Sequence, residues 1–219
     1  TLISSAETNY TTTGRINIFE RVTEVERYDP LAQSFTVDET GAFMTGVDVF
    51  FANKDESEKL FVELRTVELG IPTKNLVTEY SRVTLDPSDI TTSRDASVAT
   101  KIEFPSPVYL EADTEYAVVL LSPYSDLYEV WIARMGEKTV NTSTLPDAES
   151  VIATKQYVGG SLFKSQNGTI WTANQFEDLK FKLYKAEFTT NPGVAYFYNP
   201  SLGTRDTNVG QLNENSIKT

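Results

Sequence analysis

The stretch LFVELRTV at residues 60–67 is the clearest strand signal in the sequence. Its apolar residues Leu60, Val62 and Leu64 fall on one side of an extended chain, because successive side chains point to opposite faces. The charged residues that follow Val62 and Leu64 fall on the other side. This two-residue period predicts a β-strand with one apolar face and one charged face.

Two further stretches also predict β-strands. EYAVVLL at residues 115–121 has apolar residues on both faces and predicts a strand that is buried on both sides. LKFKLYKAEF at residues 179–188 alternates strictly. Its pattern predicts Leu179, Phe181 and Leu183 inside, with Lys180 and Lys182 outside.

The chain as a whole contains about nine or ten short strand patterns, separated by turn signals roughly every ten residues. No long segment has a clear helical period. We therefore predict an all-β fold, a two-sheet antiparallel sandwich that is jelly-roll-like, with an immunoglobulin-like strand order as the alternative. The sandwich is expected over residues 29–188. It is flanked by an N-terminal arm or linker at 1–28 and a C-terminal arm at 189–219 that leads into the rest of a larger chain.

Two local features refine this expectation. Gly46 interrupts a strand pattern, which predicts a β-bulge or a close approach of another backbone. Pro105 and Pro107 lie within another strand pattern, and neither can donate a backbone hydrogen bond. They predict an edge strand or a corner of the sheet.

Composition excludes several classes of function. The 219 residues carry a formal net charge of −12, which argues against nucleic-acid binding and against association with anionic membranes. There is no Cys and no His, so thiol chemistry, zinc sites and His-dependent catalysis are not expected. No apolar run approaches the roughly 20 residues that span a bilayer. The composition thus predicts a protein that is not an enzyme, has no cofactor and does not insert into membranes.

Acidic residues in turns provide the one candidate for a bound cation. Calcium takes six to eight oxygen ligands, but no segment has the spacing of an EF-hand, so solvated turns are the preferred interpretation. Paired carboxylates are also the machinery of glycoside hydrolysis, although sequence spacing does not place any pair in a cleft. The residues are Asp55, Glu56, Glu58, Asp86, Asp89, Glu111, Asp113 and Glu115.

Aromatic residues provide the candidate binding site. Five of them could stack on sugar rings if they face outward, or belong to the core or to a protein interface, where aromatic side chains are also enriched. They are Tyr124, Tyr128, Trp131, Tyr157 and Trp171.

Six segments, in order along residues 29–200, carry a family resemblance. They read DPLAQSFTVDETGAFMTGVDVFF at 29–51, VELRTVELGIPT at 62–73, ATKIEFPSPVYLEADTEYAVVLLS at 99–122, YEVWIARMGE at 128–137, GSLFKSQNGTIWTANQFEDLKFKLYKAEF at 160–188 and VAYFYNP at 194–200. Together they resemble a module of the tail proteins of contractile-tailed (myovirus, cyanophage-like) bacteriophages, notably large baseplate components.

This resemblance implies a structural role in the virion. The expected partners are other tail and baseplate proteins in a homo- or hetero-oligomeric assembly. The expected location is the tail baseplate, after synthesis in the cytoplasm of the bacterial host, and the family supplies no catalytic residues. The alternative hypothesis is a domain of the phage tail that binds a host-surface carbohydrate or receptor.

Overall fold

The computed structural model describes residues 29–140, 149, 151–155, 157–166, 168 and 170–188. Both predicted arms, 1–28 and 189–219, lie outside these residues. The described chain forms one short 3₁₀ helix, Pro87–Asp89, and fourteen strands. The strands are β1 (Leu31–Thr36), β2 (Ala42–Val49), β3 (Phe51–Asn53), β4 (Leu60–Glu68), β5 (Ile71–Leu76), β6 (Arg82–Leu85), β7 (Thr100–Leu110), β8 (Glu115–Leu121), β9 (Glu129–Val130), β10 (Ile132–Arg134), β11 (Leu162–Ser165), β12 (Trp171–Asn174), β13 (Glu177–Leu179) and β14 (Phe181–Lys185).

Seven strands form a large, curled antiparallel sheet. Its order is β12-β11-β1-β8-β4-β5, and β6 pairs with the first half of β4. β8 lies inside this sheet between β1 and β4. Residues 116–121 of β8 are buried on both faces, as the sequence predicts.

The remaining strands form the opposite layer, in three smaller antiparallel sheets: β14-β2-β7, β3-β9 and β10-β13. β2 and β14 pair as far as Val49 and Phe181. Beyond that point the Trp131 N–H donates to the Phe50 carbonyl at 2.9 Å, and the Lys180 N–H donates to the Trp131 carbonyl at 2.9 Å. The segment containing β9 and β10 therefore enters between the two diverging strands.

The main core lies between the large sheet and the smaller sheets. Apolar side chains from both layers interdigitate there, and each fully buried one contributes about 1.5–3 kcal/mol relative to exposure. The strand face predicted from residues 60–67 belongs to this core. Among the largest fully buried side chains are Phe51, Leu64, Ile90, Ile102, Leu110 and Leu162.

A second apolar cluster lies on the other face of the large sheet. Its buried members are Ala32, Ala117, Val119, Leu121 and Phe163. The charged residues Glu63 and Arg65 occupy the same face of β4 as Phe61, which packs against this cluster, and they too are buried. The alternation correctly assigned them to the face opposite the core, but burial of that face depends on contacts distant in sequence.

Gln33 connects the two layers. Its side chain is fully buried, its Oε1 accepts a hydrogen bond from the Leu179 N–H at 2.8 Å, and its Nε2 donates to Asp178 Oδ1 at 3.3 Å. A buried amide without partners is costly. These two bonds therefore favour a single alignment of β1 against β13.

Both local expectations agree with the structure. Gly46 lies at a register shift in the pairing of β2 with β7, and a Cβ there would approach the Ile102 carbonyl oxygen to 2.5 Å. Pro105 and Pro107 lie in β7, at the edge of the three-stranded sheet. The all-β, antiparallel sandwich prediction is confirmed. The jelly-roll strand order stays a prediction.

Candidate interaction surface

The outward side of the three-stranded sheet brings together lysine and aromatic side chains. β7, β2 and β14 are antiparallel neighbours, so their outward residues stand in rows across the sheet. We call this surface the lysine–aromatic face. It consists of Phe43, Asp48, Phe50, Lys101, Glu103, Tyr109, Lys180, Lys182 and Tyr184.

Asp48 lies at its centre. The cross-strand neighbours of Asp48 are Lys101 on β7 and Lys182 on β14. Asp48 is only 5% exposed, and its Oδ2 accepts a hydrogen bond from Tyr184 Oη at 2.7 Å. Its Oδ1 is buried and accepts no hydrogen bond from the described residues. Buried polar atoms are nearly always paired, so this oxygen is an acceptor that a donor would stabilise.

Two groups beside Asp48, Tyr184 and Lys101, have raised pKa values. The hydrogen bond to Asp48 raises the pKa of Tyr184, and burial acts in the same direction. Lys101 Nζ lies 2.5 Å from Glu103 Oε1, and this contact raises the pKa of Lys101. Both shifts favour the protonated forms, the ammonium group of Lys101 and the phenolic O–H of Tyr184.

Two lysines lie over the ring of Phe50. Lys180 Nζ is 4.5 Å from the ring centroid, and Lys182 Nζ is 5.8 Å from it. Lys180 Nζ also donates to the Ala96 carbonyl at 2.6 Å. These distances are in the range of cation–π attraction, which holds the ammonium groups close to the sheet.

The opposite end of the face carries exposed aromatic rings. Phe43 and Tyr109 are a cross-strand pair whose centroids are 5.0 Å apart, and they are 39% and 51% exposed. Tyr184 is also exposed. Aromatic side chains are enriched in protein interfaces, and complementary charge steers partners together. In a chain with a net charge of −12, this arrangement suits a partner that is acidic and has apolar or ring-shaped groups.

Two of the five aromatic residues predicted from sequence make contacts within the fold. The hydroxyl of Tyr128 donates to the Glu58 carbonyl, and its ring makes an edge contact with Phe51 at 6.4 Å. Trp131 lies at the point where β2–β3 and β13–β14 diverge, and its Nε1 donates to the Ser93 carbonyl at 2.9 Å.

The other three lie apart from one another. Tyr157 makes an edge contact with Phe181 at 5.7 Å. Trp171 packs against the second apolar cluster on the large sheet, and Tyr124 is exposed in the loop after β8. In the described part of the chain, no ring contact joins any two of the five. The structure therefore does not bring them together as one stacking platform.

Sequence reasoning missed Phe43, Tyr109 and Tyr184. The outward position of Tyr184 could have been predicted, because Tyr184 falls on the same side of the strand as Lys180 and Lys182, which the alternating pattern places outside. Phe43 and Tyr109 meet only through the pairing of β2 with β7, two strands distant in sequence.

Two of the predicted acidic residues, Asp55 and Asp89, have local structural roles. Asp55 Oδ1 accepts the N–H of Ser57 at 2.7 Å and that of Glu58 at 3.1 Å, and its Oδ2 accepts the Ser125 hydroxyl at 2.5 Å. Asp89 Oδ2 accepts the Asp86 N–H at 3.2 Å. No three Asp or Glu side chains among the described residues converge in a group that could hold a metal ion.

Comparisons of the chain with protein-family models, with curated proteins and with solved structures find no match. Among the described residues, no helix has the length and apolar character to cross a membrane.

Proposed function

We propose that this chain is a non-enzymatic structural module of a contractile phage tail, and that it binds neighbouring baseplate proteins through the lysine–aromatic face. The tail assignment is supported by the six segments along residues 29–200. A structural role is supported by two β-layers that share one apolar core and by a sequence that contains no His and no Cys.

The main support for a binding role of this face is the arrangement of side chains around Asp48. A nearly buried carboxylate with an unpaired oxygen stands between Lys101 and Lys182, beside exposed aromatic rings. An acidic protein segment could bring carboxylates to the lysines and backbone N–H groups to Asp48 Oδ1. Its apolar side chains would cover Phe43 and Tyr109.

The test is incorporation of the chain into tail particles. Lys101→Glu combined with Lys182→Glu reverses the charge of the face, and we expect particles to lose the chain as measured by quantitative mass spectrometry. Lys74→Glu with Lys155→Glu makes the same charge change at other exposed positions. It serves as the matched control and should leave incorporation unchanged.

Cryo-electron microscopy of the same particles gives the second readout. A neighbouring subunit that covers Phe43 and Tyr109 would support the proposal. Purified tails that contain no peptide of this chain would contradict the tail assignment, and equal incorporation of both double variants would contradict the role of the face.

Binding of a host-surface carbohydrate is the second candidate function, and one observation favours it. The exposed Phe43–Tyr109 pair offers a ring surface, and Asp48 Oδ1 is an acceptor suited to a sugar hydroxyl. A glycan array distinguishes the two. Binding that is lost in Tyr109→Ser but kept in the Tyr80→Ser control would favour the carbohydrate, and no binding to any glycan would remove this candidate.

A further inference from the structure

Glu177 is a buried carboxylate that lies apart from the lysine–aromatic face. It belongs to β13, and its side chain is only 3% exposed. Its Oε1 accepts hydrogen bonds from the guanidinium of Arg134, the cross-strand neighbour on β10. Its Oε2 accepts one from Lys164 Nζ on β11 and another, at 2.7 Å, from Asn174 Nδ2 at the end of β12. A single carboxylate oxygen therefore contacts both the amine of a lysine and the amide nitrogen of an asparagine.

Strand pairing brings that lysine and that asparagine together. Lys164 is aligned with Thr172, and Leu162 with Asn174, so Lys164 and Asn174 are diagonal neighbours on one face of the β11–β12 pair. Diagonal neighbours in a sheet are about 7–8 Å apart, within the reach of a long side chain. Because both nitrogens bond the same oxygen, they are separated by no more than two hydrogen-bond lengths, roughly 5–6 Å.

The amide of Asn174 is fixed in one orientation. Its Oδ1 accepts the backbone N–H of Phe176 at 3.0 Å, while its Nδ2 faces Glu177. A backbone N–H at a carbonyl oxygen is a donor of the kind that stabilises the negative charge of a tetrahedral intermediate in acyl transfer. The carbonyl carbon of Asn174 therefore lies beside an amine, an oxyanion donor and a carboxylate.

We propose that Lys164 and Asn174 form an intramolecular amide cross-link, with Glu177 as the group that transfers protons. Lys164 Nζ gives a proton to Glu177 Oε2 and attacks Asn174 Cγ. The Nζ–Cγ bond forms, and the Cγ–Nδ2 bond breaks. Both protons that Nζ loses pass to the departing nitrogen, so ammonium leaves and nothing is oxidised or reduced. Because the two groups are held side by side, the reaction needs no encounter between separate molecules.

Arg134 keeps Glu177 paired after the reaction. Cross-linking converts the charged amine into a neutral amide and so removes one counter-ion of the carboxylate. A buried carboxylate that loses every counter-ion is strongly destabilising. Arg134 stays bonded to Oε1 and is itself held by Glu137 Oε1 at 3.0 Å. The buried charge therefore has a partner before and after the amide forms.

The cross-link would fasten a strand at the end of the large sheet. Among the described strands, β12 pairs only with β11. The chain contains no Cys, so a disulfide cannot serve this purpose. An amide bond is also independent of redox conditions. This inference is based on the contacts of Glu177 and does not depend on the assignment to a phage tail.

Mass spectrometry of the purified chain tests the cross-link. Lysine is mostly protonated at neutral pH, so cross-linking is expected to be slow and is followed over several days. We expect a species that is lighter than the sequence predicts by one molecule of ammonia. Trypsin should leave Lys164 of this species uncut and release residues 156–180 as one loop-linked peptide. A mass that stays equal to the value expected from the sequence would overturn the proposal.

Single variants separate this reaction from other losses of ammonia. Lys164→Arg keeps a positive charge beside Glu177 but cannot form the amide, and Glu177→Gln removes the proton acceptor with little change in shape. Both should keep the full mass, whereas Lys74→Arg, at an exposed lysine, should lose ammonia as the natural chain does. A loss that persists in Lys164→Arg would come from another site, such as the Asn-Gly sequence at 167–168, and would contradict the cross-link.

Discussion

Arg65 Nε donates a hydrogen bond to Glu63 Oε2 at 2.6 Å, although both side chains are almost completely buried on one face of β4. The two residues are separated by one position in sequence, so both point to the same side of the strand. Arg82 on β6 approaches the other carboxylate oxygen of Glu63 at 3.3 Å, and its guanidinium lies 4.4 Å above the ring of Phe61. Glu63 therefore stands between two arginines.

Removing Arg65 should be costly. Arg65→Met leaves Glu63 nearly buried with Arg82 as its remaining ion-pair partner, and we expect unfolding in urea to show a loss of about 3–5 kcal/mol. Arg82→Met removes a half-exposed partner and should cost less. The double variant Glu63→Leu with Arg65→Met should recover most of the loss, because it removes the buried charge as well. A double variant no more stable than Arg65→Met would contradict this account.

Tyr184→Phe removes the hydrogen bond to Asp48 Oδ2 and leaves both oxygens of that carboxylate unpaired. We expect a lower urea midpoint than in the natural chain, because an unpaired carboxylate is costly in a shielded position. Adding Asp48→Asn should reduce the loss, since it removes the charge. Tyr109→Phe, on the same face, is the control. A Tyr184→Phe midpoint equal to that of Tyr109→Phe would show that the bond contributes little.

Alkaline pH should destabilise the fold through Tyr128. Burial raises the pKa of Tyr128 to about 12, and nearby carboxylates such as Asp55 act in the same direction. Because the folded value lies above the unfolded value near 10.0, this contribution is complete below pH 10 and is lost as the pH rises towards 12. Unfolding temperatures measured across this range should fall more steeply in the natural chain than in Tyr128→Phe. Parallel curves would contradict the assignment.

Acidic pH should destabilise the fold through Asp55. The hydrogen bond from the Ser125 hydroxyl is the main cause of the lowered pKa of Asp55, followed by those from the N–H groups of Ser57 and Glu58. A depressed folded pKa stabilises the protein above the unfolded value near 3.8, and this stability is lost as the pH falls below it. Ser125→Ala should therefore reduce the unfolding temperature at pH 7 and flatten its decline below pH 4. A decline as steep as in the natural chain would exclude the Ser125 bond as the cause.

The sequence predicted the parts of the fold that depend on local pattern. Alternation placed Leu60 and Val62 in the core and Lys180 outside, and an isolated glycine marked the bulge at Gly46. Each inference requires only the two-residue period of a strand or the space that a Cβ occupies.

The candidate surface was harder to predict from the sequence, because it forms only when strands that are distant in sequence pair. Phe43 and Tyr109 become neighbours only when β2 meets β7, and Asp48 gains its lysines only when both flanking strands are in place. The predicted aromatics were chosen without knowing their faces. The structure accordingly uses Tyr128 in packing and Trp131 where two pairs of strands diverge.

The positions of the first and last described strands have a mechanical consequence. β1 is hydrogen-bonded on both sides, to β8 and β11, whereas β14 pairs only with β2 among the described strands. Force applied between the two ends of this segment would detach β14 from its neighbour bond by bond, while β1 stays held by two partners. The described segment would therefore yield under load from β14 first and retain the large sheet.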